Sequence, residues 1–120
     1  MKTLLLFAFI LTMSYTATAQ QKTLGKVNRL DPALDNLIDK DAKIEILSEG
    51  YDWSEGPAWV KDGNYLLFSD VPANTVYKWK EGEGAKPFLK PSGYTGLGVY
   101  SDEPGSNGLI INKDGLLVSC

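Results

Sequence analysis

Glu55-Gly56-Pro57-Ala58-Trp59-Val60-Lys61-Asp62-Gly63-Asn64-Tyr65-Leu66-Leu67-Phe68-Ser69 decides the fold, because it reads as an apolar strand, a tight turn and a second apolar strand. The Lys-Asp-Gly-Asn centre has the composition of a hairpin turn. The pattern recurs. Asn107-Gly108 leads to Lys113-Asp114-Gly115 and Leu116-Leu117-Val118-Ser119, the turn beginning six residues after Asn107 as it does after Glu55. Only an extra pair of residues in the first hairpin separates the copies. Self-similarity at a period of roughly 50 residues, with short strands in each copy, is the mark of a β-propeller blade.

The sequence between the copies supports that reading. Strands are predicted over 58–60, 65–69, 75–80 and 87–89, separated by turns rich in Gly, Pro, Asn and Asp. Thr75-Val76-Tyr77-Lys78-Trp79-Lys80 alternates strictly, and Pro87 suits the edge of a sheet because it cannot donate to a ladder. A further short strand is expected over 44–46, and no helical period follows residue 42. The expected fold is therefore all-β: a propeller represented by its first blade and part of the second, with the chain ending inside an apolar run.

The repeat draws attention to Glu55 and Asn107. Both occupy the position just before the first strand of their copy, which in a propeller lies at one mouth of the central channel. Two oxygen-bearing side chains there would converge on the axis, where a hard divalent cation or a polar substrate finds its ligands. Pro57 fixes its own φ and is expected to hold Gly56 extended, which stiffens the backbone beside Glu55. A solvated glutamate at a loop end and a plain Asn-Gly turn are the alternatives.

Composition narrows the chemistry. The 120 residues are 43% hydrophobic and 22% charged, as in ordinary globular chains. The net charge of −3 and the lack of a basic stripe exclude nucleic acid as an expected partner. With no histidine and one cysteine, Cys120, neither a His-dependent triad nor an internal disulfide is available. Residues 1–19, with Lys2, an apolar run and Ala17-Thr18-Ala19, read as a signal peptide. The mature protein is accordingly expected to be exported, to periplasm or medium, with no membrane span after cleavage. Residues 20–43 form a lead-in segment, in which Asp31 and Pro32 signal a short helix start. Residues 44–120 form the partial propeller domain.

Trp53-Ser54-Glu55-Gly56-Pro57-Ala58-Trp59, Leu67-Phe68-Ser69-Asp70-Val71-Pro72-Ala73-Asn74 and Ser106-Asn107-Gly108-Leu109 together resemble the SMP-30/gluconolactonase/LRE family of six-bladed propellers. The resemblance implies a metal-dependent hydrolase acting on a lactone or sugar-acid substrate, with calcium or zinc as cofactor. It implies that Glu55 is a metal ligand and that Asn107 holds the substrate. Further ligands and a proton-transfer aspartate are expected beyond Cys120, so residues 1–120 alone are expected to be inactive. Some members carry an arginine two residues before that asparagine, where this chain has Gly105. A non-catalytic propeller serving as a binding or scaffold module is the competing reading.

Tyr94-Thr95-Gly96-Leu97-Gly98-Val99-Tyr100 is longer than a link between blades requires. It is expected to form a loop over the channel mouth, with Tyr94 or Tyr100 free to stack on a sugar ring. Trp53, Trp59 and Trp79 are expected to pack between strands and blades.

Overall fold

The computed structural model describes residues 22–120; the signal-peptide assignment over 1–19 lies outside the described residues. Among the described residues six strands form two antiparallel sheets. β1 (Ser54–Val60), β2 (Tyr65–Asp70), β3 (Thr75–Lys80) and β4 (Gly84–Leu89) make a meander in the order β1-β2-β3-β4, and β5 (Leu109–Ile111) and β6 (Leu117–Ser119) make a separate hairpin. Each predicted strand from residue 58 onward is present, and Pro87 lies on the edge strand β4.

Alternation divides the meander into two faces. Ala58 is paired with Leu67, and these two are buried with Ser69, Val71 and Val76 in the core. This face meets the second hairpin, since β5 packs on both β1 and β2. Leu67, Val71 and Val76 are at most 1% exposed; burying side chains of that size contributes about 1.5–3 kcal/mol each. The opposite face carries an aromatic cluster. Tyr51 meets Phe68 edge-on at 4.8 Å and Tyr77 at 5.0 Å, while Phe68 and Tyr77 stack at 5.7 Å. Edge-on contacts of this kind suit the ring quadrupoles. Tyr51 is held in turn by a 2.6 Å hydrogen bond between its hydroxyl and that of Ser48.

Three sequence expectations are corrected. Residues 44–46 form an isolated bridge and not the expected short strand: Glu45 bridges to Thr23, and the Leu24 and Ile46 N–H groups donate to the Ile44 and Lys22 carbonyls. The lead-in thus closes on itself before the first blade begins. Second, β1 starts at Ser54, which puts Glu55 inside the strand and opposite Ser69 rather than ahead of it. Third, Gly56 takes φ +63° instead of an extended conformation. The steric pressure from a following proline acts largely through a Cβ that glycine lacks, and the register shift between Glu55 and Ala58 accommodates the turn.

The helix signal in the lead-in is realised as a 3-10 helix over Pro32–Asn36, capped by Asp31, whose carboxylate accepts from the Ala33 N–H at 2.7 Å. Among the described residues no helix is long and apolar enough to cross a membrane.

Candidate functional site

The backbones of the two repeat copies meet at their matching dipeptides. Gly56 lies so close to the second hairpin that a Cβ there would collide with the Asn107 carbonyl oxygen and stand 3.0 Å from the Leu109 nitrogen and 3.1 Å from the Gly108 Cα. Glu55, the second residue of β1, and Asn107, two residues ahead of β5, therefore lie on segments whose backbones meet. Their side-chain surroundings differ. Glu55, partly buried, lines a cleft of about 340 Å³ with Ser48, Tyr51, Pro57, Phe68 and Trp79. Asn107, exposed, lines another of about 470 Å³ with Ser92, Tyr94, Tyr100, Ser106 and Cys120. The two residues are brought together through the backbone and not across one cavity.

What holds them is a set of hydroxyl, amide and carboxylate groups on β2 and the loops. Ser69 is fully buried and donates to the Asn107 carbonyl oxygen at 3.0 Å. A hydroxyl has one proton, so the 3.1 Å contact between the Ser69 and Ser106 hydroxyls must be donated by Ser106. Next to it, Asp70 is 3% exposed and accepts from the backbone N–H groups of Trp53 at 3.1 Å and Asp52 at 3.4 Å. These are the residues that lead into Glu55. Asn74, at φ +50°, accepts from the N–H groups of Ser92 and Gly93 at 2.9 and 2.8 Å and donates to the Tyr94 carbonyl at 2.8 Å. It fixes the base of the long loop.

That loop differs from expectation at its aromatic residues. Tyr94 and Tyr100 stack on each other at 4.7 Å, nearly parallel, which occupies one face of each ring. Leu97 and Val99 stand fully exposed between them. Of the tryptophans, Trp79 lines the Glu55 cleft, and Trp53 and Trp59 are half-exposed. Gly105 has its own explanation: its N–H donates to the Val71 carbonyl at 2.9 Å, and a Cβ would stand 2.5 Å from that oxygen and 3.1 Å from the Asn74 Cα. No side chain fits there without a backbone shift.

The Glu55 carboxylate and the Asn107 carboxamide are hard oxygen donors, the kind that oxygen-seeking divalent cations take. Among the described residues no cluster of three or more His, Cys, Asp or Glu side chains is placed to hold a metal. Glu55 offers one carboxylate, so a cation bound there takes its other ligands from elsewhere. Sequence reasoning singled out Glu55 and Asn107 but missed the anchoring roles of Ser69, Asp70 and Asn74. The one signal for them was their place in the Phe68-Ser69-Asp70 stretch and the Asn74 turn.

Comparison with known proteins completes the description. The chain is 42% identical over 118 residues to a gluconolactonase of Zymomonas mobilis, a match covering 90% of this chain and 33% of the relative. The chain thus spans about a third of the length of that curated relative. Among solved structures, a gluconolactonase of Xanthomonas campestris superposes with a TM-score of 0.59 at 23% identity, over 86% of this chain and 29% of that one. At that identity the likeness speaks for the fold, in which β1–β4 form one propeller blade and β5–β6 open the next. No family model matches the sequence.

Proposed function

We propose that this chain, a relative of the gluconolactonases over nine-tenths of its length, supplies part of the active site of a metal-dependent lactone hydrolase. The observation that carries the reading is the packing of Gly56 against the Asn107-Gly108 backbone, which brings together the two chain segments that bear the Glu55 carboxylate and the Asn107 carboxamide. Glu55 is assigned as a ligand of a divalent cation, calcium or zinc, and Asn107 as a hydrogen-bonding group for the substrate. When bound, such a cation supplies Lewis acidity for polarising a lactone carbonyl. The part of this chain is to present the Glu55 carboxylate from a strand whose backbone is pinned by Asp70, and the Asn107 amide from a loop whose carbonyl is pinned by Ser69.

Other ligands and the group that moves the proton are assigned to positions beyond Cys120, so residues 1–120 by themselves should not turn over a lactone. An exported, small-molecule hydrolase agrees with the leader-like residues 1–19 and the negative charge. The test is hydrolysis of gluconolactone by the full-length protein before and after chelation, with calcium or zinc restored. Activity that is lost on chelation and returns with metal supports the reading; unchanged activity after chelation, or none with any lactone, removes it.

A further inference from the structure

We propose that Ser69 and Asp70 are positioning residues, one for Asn107 and the other for Glu55, so that a single dipeptide on β2 sets the relative placement of both groups. The proposal rests on the reading of Glu55 and Asn107 given above. Its basis is geometric. Adjacent residues on a strand point to opposite faces, so Ser69 and Asp70 reach two different segments from one stretch of backbone.

Ser69, fully buried, spends its only proton on the Asn107 carbonyl at 3.0 Å, and in the β1–β2 register it stands directly opposite Glu55. Asp70, opposite Ser54, turns its carboxylate to the Asp52 and Trp53 N–H groups, at 3.4 and 3.1 Å, just upstream of Glu55. Among the described residues no buried side-chain polar atom lacks a partner, and each Asp70 oxygen accepts one of these N–H groups. Ordinary sheet packing does not call for a buried carboxylate here. Burying one is unfavourable unless it is hydrogen-bonded, and the bonds it makes all go to the approach to Glu55.

The two residues should separate kinetically. Losing the hydrogen bond that holds the Asn107 carbonyl should raise KM for gluconolactone in Ser69→Ala by about fivefold while leaving calcium affinity unchanged. Asp70→Asn keeps one acceptor oxygen and loses the other, and should weaken calcium binding by about tenfold. Leu67→Val is the control: it trims a buried core side chain paired with Ala58 and Lys78 and touches none of the bonds to Asn107, Asp52 or Trp53, so it should lower Tm without moving KM or calcium affinity.

The experiment is calcium titration by calorimetry, steady-state lactone kinetics and a thermal melt on these three variants of the full-length protein, beside Glu55→Gln and Asn107→Ala. Should Ser69→Ala fail to fold, Ser69→Cys preserves the size and weakens the donor, and the same KM shift is expected. A KM effect for Ser69 and a calcium effect for Asp70, both absent from Leu67→Val, establish the proposal. Equal losses of Tm in all three, with KM and calcium affinity unmoved, overturn it even if Glu55→Gln abolishes binding. If Glu55→Gln and Asn107→Ala are themselves silent, the site reading falls and the proposal with it.

Discussion

Gly56 packs backbone to backbone against Gly108, with the position of a Gly56 Cβ 3.1 Å from the Gly108 Cα. The two glycines are equivalent in the sequence repeat, so the repeat is also the contact between the two hairpins. Neither hairpin end can approach the other this closely if side chains stand between them.

Gly56→Ala should therefore be costly for two separable reasons. An L-residue at φ +63° is strained by about 1–2 kcal/mol, and the added methyl must displace the Asn107 backbone. Gly82 supplies the comparison, since it has φ +76° with nothing within 4 Å of a Cβ. Chemical denaturation should show Gly56→Ala losing at least about 1 kcal/mol more than Gly82→Ala. Equal losses would mean that the interhairpin contact is loose.

Gly105 gives a different outcome. Its φ is not in the left-handed region, so the conflict is purely spatial, with the Val71 carbonyl 2.5 Å from a Cβ. Gly105→Arg should destabilise the protein by about 1–3 kcal/mol and should not improve binding of a sugar acid. Measured gluconate affinity with a thermal melt checks this. A stable variant with tighter gluconate binding would show that the backbone yields easily at this point.

Asn74 should be hard to replace. Asn74→Gly removes the strain of φ +50° but also the bonds to Ser92, Gly93 and Tyr94. At about 1 kcal/mol net per bond, a loss of about 2–3 kcal/mol is expected in denaturant, with increased proteolytic cutting within residues 92–104. A neutral Asn74→Gly would mean that the backbone conformation alone is what this position requires.

Much of the fold was legible because a two-residue period and turn chemistry are local. Tyr65-Leu66-Leu67-Phe68-Ser69 and Thr75-Val76-Tyr77-Lys78-Trp79-Lys80 declare themselves as strands through alternation, and both are strands. Ile44-Glu45-Ile46 shows the same alternation, yet it finds its partner at Thr23, a pairing that no short-range pattern encodes. At the site, the repeat pointed to Glu55 and Asn107. Ser69 and Asp70 stayed hidden because a serine and an aspartate at a strand end are common, and their partners lie 38 and 17 residues away.

Local stability should be graded. Ile110 and Val118 are cross-strand partners on β5–β6, and both are exposed, 62% and 49%. A two-stranded hairpin with an uncovered apolar pair is marginal by itself. In residues 1–120, backbone amides of β5 and β6 should exchange with deuterium faster than those of β2 and β3, where Leu67 and Val76 are buried. Uniform protection across both sheets would indicate that the second hairpin is covered, for instance by a second copy of the chain.

The most direct test of the central claim is calcium titration by calorimetry of Glu55→Gln in the full-length protein, with lactone hydrolysis and a thermal melt on the same sample. The substitution keeps the shape of a partly buried side chain and removes its charge. An amide oxygen is a weaker donor to a hard cation than a carboxylate. Calcium affinity should fall sharply and hydrolysis by orders of magnitude, with partial recovery in excess metal, while stability stays within about 0.5 kcal/mol. Undiminished calcium binding and hydrolysis in Glu55→Gln would contradict the account and return Glu55 to the role of a solvated strand-end carboxylate.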